Sequence, residues 1–146
     1  MIPFYALVLS FVLLRISGLL GLSYFDGWHT PLQGAAAVML LLTASAHWGK
    51  RRPDLIRMVP AFLPKPDWMV TATGWLEIAG AIGLLFPATS RAASICLTLL
   101  FIAMFPANVR AARERLTIGG RPAPKLLVRT LLQIVFIAAV LFAGWL

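Results

Sequence analysis

Five apolar stretches decide what this chain can fold into. They cover residues 2–22, 32–48, 68–86, 92–109 and 126–146, each about 17 to 21 residues long. A bilayer core about 30 Å thick is crossed by roughly 20 helical residues rising about 1.5 Å each. Leucine, alanine and glycine dominate the stretches, and none alternates with period two, which favours helices over barrel strands. Composition closes the alternative. Of 146 residues, 60% are hydrophobic and 12% charged, more apolar surface than a soluble domain of this size can hide. The expected fold class is an all-α integral membrane protein, a bundle of five transmembrane helices, with residues 1–146 as one helical domain in a lipid bilayer.

Charge placement sets the expected orientation. The formal net charge is +8. With five spans, the N-terminus and the loops "GKRRPDLIRMVPAFLPKPD" and "RAARERLTIGGRPAPKLLVR" fall on one face, while the other face holds Arg91 and Asp26. The positive-inside rule then puts the basic face in the cytoplasm, the N-terminus inside and the C-terminus outside. The same bias accounts for the basic loops without nucleic acid; contact with anionic headgroups is their expected consequence. The first stretch lacks a basic leader and carries Arg15, so it reads as a retained helix rather than a signal peptide. Cys96 is alone, which excludes an internal disulfide and a Cys-x-x-Cys motif. Asp26 and His29, three apart, are a weak metal hint, and no metal is expected.

Ionisable and amide groups inside the stretches are the candidate functional residues, because an unpaired charge at bilayer depth is costly. Counting inward from the basic face, Glu77 lies roughly 14 Å deep and Arg15 roughly 18 Å. The simplest expectation is a structural ion pair, Arg15 with Glu77. The alternatives are a proton-handling carboxyl in a cavity, or a neutral Glu77 bonded to another helix. His47 ends the second stretch in "TASAHWGKRRP", as a helix-end cap or as a donor at a cavity mouth. Asn108 follows Pro106, whose ring frees the Ile102 carbonyl, and Asn108 can bond freed backbone or reach another helix. Gly74 and its small neighbours permit close helix approach. Pro53, Pro60, Pro64 and Pro66 forbid one regular helix between the second and third spans, though "DLIRMV" fits a short surface helix. "TIGGRPAPK" reads as a flexible polar loop.

The order of these marks resembles the DoxX-like family of small integral membrane proteins. They are His47 with an aromatic beside it, Pro53, "VPAFLP" with Pro60 and Pro64, Gly74 and Glu77, and "FPANV" with Pro106 and Asn108, over about half the chain. The resemblance implies a four-helix DoxX-like core, here the second to fifth spans, with the first helix as an addition, in a bacterial or archaeal inner membrane. It also implies, for some members, association with quinone-linked or oxidative-stress systems.

Two functional readings follow. One is an accessory subunit of a membrane redox system, without a redox centre of its own, docking a partner protein and holding a quinone against His47, Gly74, Glu77 and Asn108. The other is an intramembrane acid–base enzyme or lipophile-binding protein, with Glu77 and His47 as catalytic candidates. A small transporter, which would need a homo-oligomer or paired repeats, ranks below both because no inverted repeat is visible.

Overall fold

The computed structural model describes residues 1–145. Six helices account for most of the chain: α1 (Ile2–Leu19), α2 (His29–Ser45), α3 (Arg52–Met58), α4 (Pro66–Leu85), α5 (Ser90–Arg113) and α6 (Leu126–Trp145). Four of them, α1, α4, α5 and α6, are long and apolar enough to cross a membrane. The other expected span, α2, has 17 residues and the most internal position.

Local chemistry explains where the helices stop. Gly21 adopts φ +114° after α1. The Leu22 amide then donates to the Ser17 carbonyl at 3.1 Å and the Gly21 amide to Gly18 at 3.0 Å, the paired bonds of a Schellman stop. A 3-10 turn, Ser23–Phe25, leads to α2. Lys65 takes a left-handed φ of +52°, and Pro66 opens α4 at the position where a missing N–H costs nothing. The expected surface helix is α3, with Pro53 in its first turn.

Two expectations need correction. The fourth span, expected to end at Val109, continues as helix for four more residues to Arg113, with Pro106 inside it as expected. The loop "TIGGRPAPK" is partly ordered: Thr117 pairs with Pro122 and Ile118 with Arg121 as two short antiparallel strands, β1 and β2. Gly119 and Gly120, at φ +60° and +75°, form the two-residue turn whose twist matches a hairpin.

Packing places α2 against α1, α4 and α6, while α5 packs against α4 and α6. The four helices α2, α4, α5 and α6 thus close a ring, with α1 laid on the outer side of α2. Ala35, Ala36 and Leu40 of α2 meet Leu84, Leu97 and Val140 in the buried core. Much of the outward surface is apolar, including Leu9, Leu13, Leu99 and Leu131. At the basic end, α3 and the hairpin dock together, and α3 also touches α4 and α5.

Candidate functional site

Glu77 is 2% exposed on α4 and faces α2. The Thr43 hydroxyl donates to Glu77 Oε2 at 2.7 Å and lies 2.9 Å from the Leu40 carbonyl. A hydroxyl has one hydrogen, so it serves one acceptor at a time. When it turns to Leu40, the short contact to Glu77 requires a hydrogen on the carboxyl instead. The site can therefore hold Glu77 in either form with little movement of its heavy atoms.

His47, 4% exposed, lies one turn beyond Thr43. Its Nδ1 sits 3.2 Å from the carbonyls of Thr43 and Ala44, so this nitrogen carries a hydrogen. His47 and Glu77 are both tied to Thr43, one through its carbonyl and the other through its hydroxyl. Gly74 brings α4 close to this end of α2. A Cβ there would lie 2.8 Å from His47 Cβ and from the Trp48 ring. At that level α2 and α4 are in direct contact, with no space for a ligand ring between them. Arg52 fixes the same junction: it donates to the His47 carbonyl at 2.7 Å and to the Asp67 carbonyl and Thr71 Oγ1 at 3.0 Å.

The expected Arg15–Glu77 ion pair does not form. Arg15 lies over the Trp28 ring, 5.4 Å from its centroid, and its buried Nη1 has no hydrogen-bond partner. Leu14 of α1 meets Gly34 of α2, whereas Glu77 is level with Thr43. Nine residues of helix separate those levels, about 13 Å. Counting depth from each helix start failed because α4 begins well beyond the end of α2.

Asn108 belongs to a second cluster, between α5 and α6. It donates to Gln133 Oε1 at 2.8 Å and accepts from Arg129 at 2.5 Å. Gln133 donates in turn to the Phe101 carbonyl at 2.7 Å. Asn108 thus reaches another helix, and Gln133 bonds the Phe101 carbonyl, five residues before Pro106 and next to the Ile102 carbonyl that the proline frees. Pro60 lies in the segment after α3, where its carbonyl accepts from the Leu63 amide at 3.0 Å. Pro64 is exposed beside the left-handed Lys65.

Two clefts open at the basic end, of about 390 and 520 Å³. They share Pro60, Ala61 and Arg110, and neither is lined by His47, Gly74, Glu77 or Asn108. Beside them, Asp54 accepts from the Gly119 amide at 2.8 Å and pairs with Arg57. The amide bond, reinforced by Arg57, holds the Asp54 carboxyl below the usual range. No group of His, Cys, Asp and Glu side chains suited to a metal occurs among the described residues. His29 donates to the Ala143 carbonyl at 2.9 Å.

Thr43, Arg52, Arg129 and Gln133 complete these clusters and were not singled out from the sequence. Thr43 precedes His47 by four, the spacing of one helix face. Gln133 is an amide in an apolar run, the same signal that marked Glu77.

A bundle of apolar, membrane-length helices with one basic end and small internal polar clusters is the class of protein defined here. The chain belongs to the family described as Domain of unknown function (DUF8561), whose model matches residues 36–143. The match runs from within α2 to within α6 and leaves α1 outside it. No curated protein and no solved structure matched the chain.

Proposed function

We propose that this chain is a multi-pass protein of a bacterial or archaeal cytoplasmic membrane that serves as an accessory subunit, docking a partner protein on its basic end. In this reading α2 is the fifth span, the basic end is cytoplasmic, and the C-terminus lies outside. The observation that carries it is the joining of two separate basic connections into one ordered plate. Gly119 and Arg57 bind Asp54, Arg57 also reaches the Thr117 carbonyl, and Arg110 bonds the Val59 carbonyl. Exposed Arg51, Arg115, Arg121 and Lys125 remain on that plate for an acidic surface. The order of residues resembling the DoxX-like family supports a redox partner, and a quinone belongs to that partner's chemistry.

The test is native mass spectrometry of the full chain, gently extracted from its host membrane. A second protein should co-purify reproducibly and dissociate with salt. Arg121→Glu with Lys125→Glu should abolish the complex while leaving the chain's own unfolding midpoint unchanged. A chain that always runs alone would sink the proposal.

A second reading rests on the two-way Thr43 hydrogen: Glu77 would be an acid–base group acting with His47. Glu77→Gln should then eliminate turnover or ligand binding in the host membrane while the fold survives. Unchanged behaviour would remove it.

A further inference from the structure

The larger cleft at the basic end has a polarity gradient that the docking plate does not use. Its floor follows one stripe of α5, from Phe105 through Val109 to Arg113, at successive helical turns. Eight residues separate the ends, about 12 Å along the helix. Phe105 and Pro106 line the end toward the bundle, and Arg113 lies at the basic rim. The opposite wall includes Phe62, which is 80% exposed although it belongs to a polar connection. Arg110, also at the rim, is committed to Glu114 at 3.0 Å and to the Val59 carbonyl. Arg113 has neither a hydrogen bond nor an ion pair among the described residues.

We infer that this cleft binds one anionic phospholipid of the inner leaflet, its phosphate at Arg113 and an acyl chain along Phe62, Phe105 and Val109. The inference rests on the membrane placement proposed above, but not on a docked partner. A neutral quinone has no use for the unpaired guanidinium. A free inorganic anion has no use for the apolar wall. A lipid with an anionic headgroup matches both ends, in the direction the membrane normal requires. Exposed Phe62 is then the side chain that covers the acyl chain.

The experiment uses the full chain, delipidated in detergent, with phosphatidylglycerol or phosphatidylcholine of the same acyl chains added, read by native mass spectrometry. One phosphatidylglycerol should be retained over phosphatidylcholine by about fivefold or more, the discrimination expected from one interfacial arginine. Arg113→Gln should erase that preference, and Val109→Trp, which fills the groove, should reduce retention of both lipids. Arg121→Gln, on the hairpin outside the cleft, should leave the preference intact. Equal retention of the two lipids would overturn the inference. So would equal effects of Arg113→Gln and Arg121→Gln, displacement by millimolar inorganic phosphate, or preferred retention of a quinone.

Discussion

Replacing Gly74 with alanine tests the close α2–α4 junction directly. The new Cβ would sit 2.8 Å from His47 Cβ and from the Trp48 ring, against an ordinary carbon separation of about 3.5 Å. His47 Cβ is fixed to the helix-end backbone and cannot swing away. If the strain is kept, it costs about 1–3 kcal/mol. If α4 retreats instead, it must move about 0.7 Å. Glu77, three residues along the same face, would retreat with it. Its 2.7 Å bond from Thr43 would lengthen to about 3.4 Å, past the normal limit for O–H···O. An unmade bond at this buried carboxyl costs about 1–3 kcal/mol. Alanine's helix propensity returns about 1 kcal/mol, so the net loss is about 1 kcal/mol and as much as about 2. Gly34→Ala is the comparison. Its Cβ meets only Leu14 Cδ1, at 2.7 Å, the tip of a side chain that can rotate, so the propensity gain survives. Reversible unfolding in mixed detergent should show Gly74→Ala below the parent protein and Gly34→Ala level with it or above. If Gly74→Ala is no less stable than Gly34→Ala, the reasoning fails.

Other outcomes follow from the same contacts. Thr43→Val should destabilise by about 1–3 kcal/mol through the unpaired carboxyl, and by less in a Gly74→Ala background; additive losses in the same unfolding assay would count against a displaced α4. Gln133→Leu leaves Asn108 without its acceptor and should cost about 1–2 kcal/mol, whereas Gln133→Glu should keep the Asn108 bond; equal stability of parent and Gln133→Leu would refute this. Asp54 has a lowered folded pKa because the Gly119 amide and Arg57 favour its charged form. Its contribution is therefore complete above the ordinary carboxylate range and is lost as pH falls through the lower folded value. Protection of the Gly119 amide from hydrogen exchange, relative to the intrinsic rate at each pH, should fall over that acid window and be absent at every pH in Asp54→Ala.

The helices were legible in the sequence because length and hydropathy suffice to mark them. The surface helix α3 was legible for a different reason, since Pro53 and Pro60 bracket its ends. The hairpin is not legible in the sequence because two adjacent glycines, Gly119 and Gly120, fit a flexible loop and a two-residue turn equally well. Glu77, His47 and Asn108 stood out as polar groups in apolar surroundings, and each is held by hydrogen bonds. Their partners were not legible. Pairing depends on axial offset between helices, and the long connection from α2 to α4 hides how far α4 begins beyond the end of α2. That offset gave Glu77 to Thr43 and left Arg15 on Trp28.

The internal position of α2 has a consequence for how the chain is made. It leaves the ribosome before α4 and α6, yet two of its walls belong to them. Before they follow, α1 covers it as the other arm of a hairpin. Val140 and Ala143 finish the enclosure, and the His29 bond to the Ala143 carbonyl fastens it. Closure of the ring is thus deferred until α6 has been made, and a nascent chain stopped at Arg113 leaves the α6-facing wall of α2 open to the cell's quality control. In a pulse-chase experiment that truncated chain should disappear faster than the full one. Equal lifetimes would mean that α1 and α4 protect α2 without the sixth helix.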